Sequence, residues 1–112
     1  MAKTVLIVYH TLGGNTKAAA EAVAEGVRKV EGVKPVIMEA LKAGPADLLD
    51  CSVAAVGTPD YFSYMAGGVK DFFDRSYYPT HGKVTDKPCG VFSIDILYNP
   101  FVVIRRISAF AA

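Results

Sequence analysis

Nine residues, Tyr9-His10-Thr11-Leu12-Gly13-Gly14-Asn15-Thr16-Lys17, carry the chemistry most easily read from this chain. Two hydroxyls, one carboxamide and two adjacent glycines sit between an apolar run (Val5-Leu6-Ile7-Val8) and an alanine-rich stretch of helical periodicity. A turn in that position aims a helix N-terminus, with its unpaired N–H groups, at the crook. Phosphate is the natural occupant of such a site. The order of residues is not that of a P-loop, which needs Gly-x-x-x-x-Gly-Lys-Ser/Thr, nor that of a dinucleotide fingerprint. What remains is a cradle of the Thr11 and Thr16 hydroxyls, Asn15 and the N–H groups from Leu12 through Gly13 and Gly14 to Thr16. It can hold a phosphate dianion without a metal or a dedicated lysine. An ordinary strand-to-helix turn with Thr16 as N-cap is the plainer reading, but two glycines and three polar side chains exceed what it requires.

A second cluster, Thr58-Pro59-Asp60-Tyr61-Phe62-Ser63-Tyr64-Met65, follows the third apolar run. Three aromatics beside a phosphate turn suggest a planar ring lying across a crevice and stacked on one of them. Tyr61 is expected to be the exposed one. The plainer reading is that Phe62, Tyr64 and Met65 pack beneath the loop, as at least some of them must. His10 adjoins the phosphate turn, where a local packing or solvent role is expected, and His81 lies in a polar loop. Cysteine and histidine are scattered without zinc-type spacing, so no metal ligand set is predicted.

The elements that must position these loops alternate in type. Residues 4–9 are apolar without alternation, as in a parallel strand covered on both faces. Residues 16–30 have helical spacing, with Ala20, Val23, Val27 and Val30 on one side. Strands are predicted at 33–39, 52–57 and 88–94, a short helix at 46–50 and a longer one at 67–77. The tail, 95–112, is atypical, with a partly helical stretch expected from Phe101 to Phe110 and no further strand. The whole chain, 1–112, reads as a single α/β domain, a doubly wound parallel sheet. Its first and third strands end at the switch point where ligands bind.

Composition narrows the partners. The formal charge is +1, and the halves are balanced, with six basic and six acidic residues up to Val56 and six and five after it. That balance lacks the basic footprint of nucleic-acid binding. No apolar segment approaches membrane-spanning length, and no signal sequence is read at the start. Cys51 and Cys89 form no Cys-x-x-Cys pair and read as buried thiols of a reducing compartment, so a cytoplasmic location is expected.

Val5–Tyr9 followed by Thr11-Leu12-Gly13-Gly14-Asn15-Thr16 resembles the phosphate loop of flavodoxin-like proteins, Ser/Thr-x-Thr-Gly-x-Thr, with Gly13 in place of the second hydroxyl. Gly57-Thr58-Pro59, Phe62 and Met65, with Lys70, Phe72 and Asp74 after them, resemble the flavin loop and helix of the NAD(P)H:quinone oxidoreductase branch, the Trp-repressor-binding-protein type. Together these motifs cover residues 3 to about 94. The resemblance implies FMN held non-covalently, its phosphate in Thr11–Thr16 and its ring flanked by Asp60, Tyr61 and Phe62. The loop from Ser93 to Tyr98 would close over the ring's polar edge, with Asp95 and Tyr98 as contacts by position. In the quinone-reductase branch that loop is glycine-rich, and here it is not.

The resemblance also implies strand order 2-1-3-4, with the family's fifth strand and final helix missing. The fourth strand would then be an exposed edge through which copies of the chain could associate. An FMN-dependent electron carrier with a redox partner protein is the leading expectation, and no side chain is assigned a catalytic role because the flavin does the chemistry. An NAD(P)H-dependent FMN or quinone oxidoreductase and a shortened flavin-free domain are the alternatives. Near-neutral charge sets the chain apart from the strongly acidic carriers it resembles.

Overall fold

The apolar run Val5–Val8 lies in the middle of the sheet and is buried from both sides, which is why it does not alternate. In the computed structural model, which describes residues 3–95 and 98–106 and side chains from 3 to 94, β1 (Lys3–Tyr9) pairs in parallel with β2 (Val33–Glu39) on one side. On the other it pairs with β3 (Val53–Tyr61). Leu6 and Val8 point into one core, with Leu48, Val56, Val69 and Phe72. Ile7 and Tyr9 point into a second, with Ala20, Ala24, Ala55 and Phe92. Helix α1 (Asn15–Arg28) covers the second core, while α2 (Pro45–Asp50) and α3 (Gly67–Thr80) cover the first. β3 also pairs in parallel with β5 (Pro88–Asp95), and carries a two-residue antiparallel partner, β4 (Tyr64–Met65).

The four parallel strands run in the expected order, first outer, then central, third and fourth: β2-β1-β3-β5. Pro35 lies on the outer strand β2, where its missing N–H removes no ladder bond from the middle of the sheet.

The tail departs from expectation. Residues Tyr98–Arg106 form β6, antiparallel to β5, where a partly helical stretch and an exposed fourth-strand edge were predicted. Val102, Val103 and Ile104 are β-branched, and a short apolar run does not by itself distinguish helix from strand. The antiparallel partner is reached by a tight connection, Asp95 pairing with Tyr98. Self-association through β5 therefore loses its argument. Residues 107–112 lie outside the described residues.

Two basic side chains fasten the helices on the first face. Arg75 of α3 donates to the carbonyls of Ala43 (2.7 Å) and Ala40 (2.9 Å), and its Nε bonds Asp71 at 2.6 Å. Lys87 donates to the Leu48 and Leu49 carbonyls at the end of α2. Hydrogen bonds to charged groups contribute about 1.5–3 kcal/mol each, less when exposed. Arg75→Ala should therefore lower unfolding free energy by about 2 kcal/mol in urea melts, and Lys should recover little, lacking the planar fork.

Both cysteines are free, Cys51 buried and Cys89 partly so. Burial pushes the Cys89 thiol up to about 11, with Cys51 adding to the effect, and burial likewise raises Cys51. The folded state thus prefers the protonated thiol. That stability is complete below the ordinary thiol value of 9.0 and is lost as pH rises through about 11. Thiol labelling of the native protein at pH 8 should be slow, and the midpoint of urea unfolding should fall between pH 9 and 11.

Candidate functional site

The loop from β1 into α1 is shaped by one hydroxyl and one glycine. Thr11 Oγ1 accepts the Gly14 N–H at 2.8 Å, and Gly14 sits in the left-handed region, φ 95°, as the residue that caps α1. Gly14, not Thr16, is the N-cap. Thr16 lies inside the first turn and is buried, its side chain facing the loop rather than the solvent side of the helix. The N–H groups of Leu12, Gly13, Asn15 and Thr16 find no protein acceptor among the described residues. No acidic residue offsets the first turn of α1. An uncompensated N-terminus with unpaired donors attracts an anion.

These donors line a crevice of about 160 Å³ formed by Thr11, Leu12, Gly13, Asn15, Thr16, Pro59, Asp60, Tyr61 and Ile94. The structure thus brings the two predicted loops together at the carboxyl ends of β1, β3 and β5, the switch point of the sheet. A Cβ at Gly13 would meet nothing within 4 Å, so space does not forbid the hydroxyl that the flavodoxin pattern has there.

Other predicted residues are placed differently. Thr58 does not line the crevice. Its Oγ1 accepts the Ala66 N–H at 2.9 Å and donates to the Pro59 carbonyl at 2.9 Å, holding β3 against the start of α3. Tyr61, expected to be exposed, is half-buried against the first core, and Met65 packs there as expected. Phe62 and Tyr64 are exposed instead of packed under the loop. The cause is the turn: Phe62 and Ser63 both take positive φ (55° and 63°) between Tyr61 and its partner Tyr64, the signature of a two-residue hairpin. Phe62 consequently projects away from the crevice.

Ser93 pairs in register with Thr58 and is not part of the lining, whereas its neighbour Ile94 is. The phase of β5 decides this, and the sequence gives no turn or charge signal that would have picked Ile94 over Ser93. The backbones of Asp95 and Tyr98 pair with each other where β5 connects to β6, and their side chains lie outside those described.

His10 has the packing role expected of it. Its N–H bonds the Gly57 carbonyl at 3.2 Å, its ring meets the edge of Tyr61 with centroids 6.3 Å apart, and a Cβ on Gly68 would come within 2.5 Å of its Nδ1. Gly57 is needed for a similar reason, since its own Cβ would lie 2.4 Å from the buried Phe92 ring. Among the described residues no group of His, Cys, Asp or Glu could hold a metal, and no helix is long and apolar enough to cross a membrane.

No family model matches the chain. A flavodoxin of Aquifex aeolicus is 36% identical over 89 residues, covering 80% of this chain, which spans about half (48%) of that relative's length. Among solved structures, a WrbA-like flavodoxin from Agrobacterium tumefaciens superposes with a TM-score of 0.67 at 27% identity, covering 88% of this chain and 63% of that one. Oxidised flavodoxin 1 from Bacillus cereus superposes with a TM-score of 0.71 at 18% identity, covering 86% and 65%, a likeness of fold.

Proposed function

We propose, from the premise that this chain belongs to the flavodoxin-like family, that it holds FMN non-covalently and carries electrons to or from a redox partner protein. One observation supports this above the rest: the unpaired N–H groups of Leu12, Gly13, Asn15 and Thr16 open onto the same crevice as Asp60 and Tyr61. The donor set fits a phosphate monoester, and an aromatic side chain, Tyr61, in the lining fits a ring system. When bound, FMN supplies reversible storage of one or two electrons.

The chain's own groups divide the work. Thr11 fixes the turn through Gly14, leaving the flanking donors free for phosphate. Thr16 adds a buried hydroxyl, and Thr58 locks the second loop to α3 so that Pro59, Asp60 and Tyr61 keep their places. Ser93, Asp95 and Tyr98 belong to the proposed site by position, as flanks of the crevice rather than its lining, whereas Phe62, which projects away, is left out of it. Tyr61 excludes water from one wall.

Asp60, an exposed carboxylate on the crevice, opposes the negative charge that reduction brings there. Asp60→Asn should raise the midpoint potential by on the order of tens of millivolts, an effect that shrinks as salt is added. An unchanged potential at low salt would remove Asp60 from this role. The two free cysteines fit a reducing compartment, and we assign the chain to the cytoplasm on that basis.

The proposal is tested by purifying the protein, recording its visible spectrum and adding NADH or NADPH without oxygen. A yellow protein that the nucleotides do not bleach is the expected result. Bleaching would instead make it an NAD(P)H-dependent flavin or quinone oxidoreductase, and a colourless protein that refuses added FMN would exclude both.

A further inference from the structure

An apolar cavity lies at the end of the sheet away from the crevice and takes no part in the proposed flavin site. About 220 Å³ in volume, it sits where β1, β2 and β3 begin and α1 ends. Val5 and Val53, register partners on β1 and β3, line it with Val33 of β2 and with Val27 and Val30 at the end of α1. Val5 also packs against the second core, so the cavity is where that core opens to solvent. The backbone here is satisfied: the Lys3 N–H donates to the Gly32 carbonyl at 3.0 Å, and the Ser52 N–H to the Thr4 carbonyl at 2.9 Å. Carbon atoms alone face the opening. Water finds no partner on such walls, and a cavity of about 150 Å³ lined this way holds benzene. By the same measure this one has room for an alkyl chain of about eight carbons.

Lys3 supplies a second, independent observation. Strand alternation places it on the same face as Val5, Ile7 and Tyr9, and it borders the cavity with its carbon stem. The residue is exposed, so its ammonium stands in water beside the opening. Among the described residues that ammonium has no ion-pair partner. The other charges nearby cancel. Glu25, Arg28, Lys29 and Glu31, around the end of α1, sum to zero, with Arg28 and Glu25 paired at 2.7 Å. Lys34 alternates to the opposite face of β2 from Val33. The helix end contributes about half a negative charge, which the Lys3 ammonium outweighs.

Apolar walls beside one unpaired cation suit a molecule with an alkyl chain and an anionic head. We propose that this cavity binds a straight-chain carboxylate of about eight carbons, its chain among the five valines and its carboxylate beside Lys3. The site is separate from the crevice and does not rest on the FMN reading.

It is tested on the whole chain at neutral pH by isothermal titration with octanoate. A single equivalent should bind, with amide shifts in nitrogen-15 spectra gathered at Val5, Val27, Val30 and Val53. Octyltrimethylammonium, with the same chain and the opposite charge, should bind about tenfold more weakly. Acetate, which has no chain to bury, should not bind detectably. Lys3→Gln should lower octanoate affinity about threefold at low salt and leave 1-octanol binding unchanged. Val30→Glu, at a residue 55% exposed where the fold tolerates change, should lower octanoate affinity about tenfold by putting a like charge on the wall. Saturating FMN should leave that affinity unchanged, because the two sites stand at opposite ends of the sheet.

Absence of octanoate binding, equal binding of the two oppositely charged chains, or unchanged affinity in both variants would overturn the site. Displacement by FMN, with shifts at Thr11–Thr16, would assign the carboxylate to the phosphate cradle, against the proposal. Octanoate binding that appears only when residues 107–112 are removed would mean that the chain's own end fills the cavity. A dimer that octanoate dissociates would give the cavity to a second copy. Either result likewise overturns the proposal.

Discussion

Replacing Gly57 with Val should destabilise the protein by about 3 kcal/mol, the upper part of the range for overpacking a filled core. Its first added carbon alone would lie 2.4 Å from two atoms of the Phe92 ring. Phe92 is buried with Ile7, Tyr9 and Ala55, so moving its ring aside disturbs that core. Gly57 is also paired with Tyr9 on one side and Phe92 on the other, so a displaced backbone would disturb three strands together. Urea unfolding should show a lower midpoint with an unchanged slope. The double variant Gly57→Val with Phe92→Ala should recover part of the loss, because the clash and the cavity share one volume. Equal or greater instability in the double variant would mean that the contact is not what requires glycine.

Gly14→Val should have the largest effect on the site itself. A φ of 95° costs an L-residue about 1–2 kcal/mol, more when the side chain is β-branched. If the loop relaxes to escape that strain, the Thr11–Gly14 bond is lost and the flanking N–H groups no longer converge. FMN affinity should fall about a hundredfold, equivalent to two charge-assisted hydrogen bonds at roughly 1.4 kcal/mol each. Fluorescence titration of the apoprotein with FMN reads the loss directly. Titration with riboflavin separates the causes: its affinity should change little, since it lacks the phosphate. A parallel loss of riboflavin binding would show that the variant damages the ring wall instead.

Much of this architecture was legible because burial writes itself into residue type. Val5–Val8 does not alternate, and the strand it forms is buried on both faces. The two loops read as a cradle and a ring wall meet in one crevice because parallel strands in this order leave them adjacent. What escaped reading depends on partners far along the chain or on backbone angles. Thr58 has a hydroxyl suited to a ligand, yet it is engaged by an N–H eight residues later. Phe62 and Ser63 hold a turn that usually announces itself with Asn or Gly, so nothing indicated that Phe62 would be turned outward and Tyr61 inward. Strand β6 was mistaken for part of a helix because Phe101–Ile104 is too short a run to show a period. Its identity is decided by pairing with β5.

That pairing has a kinetic meaning. The parallel partners β1 and β2, and β1 and β3, are separated by whole helices, and their contacts can form only after long loops have closed. The β5–β6 ladder joins residues separated by as few as two positions, Asp95 to Tyr98. Hairpins form in about 1–10 μs, well before sheets of distant strands. The β5–β6 pairing is thus the one able to form soonest, giving the parallel sheet a formed edge on which β3 can dock.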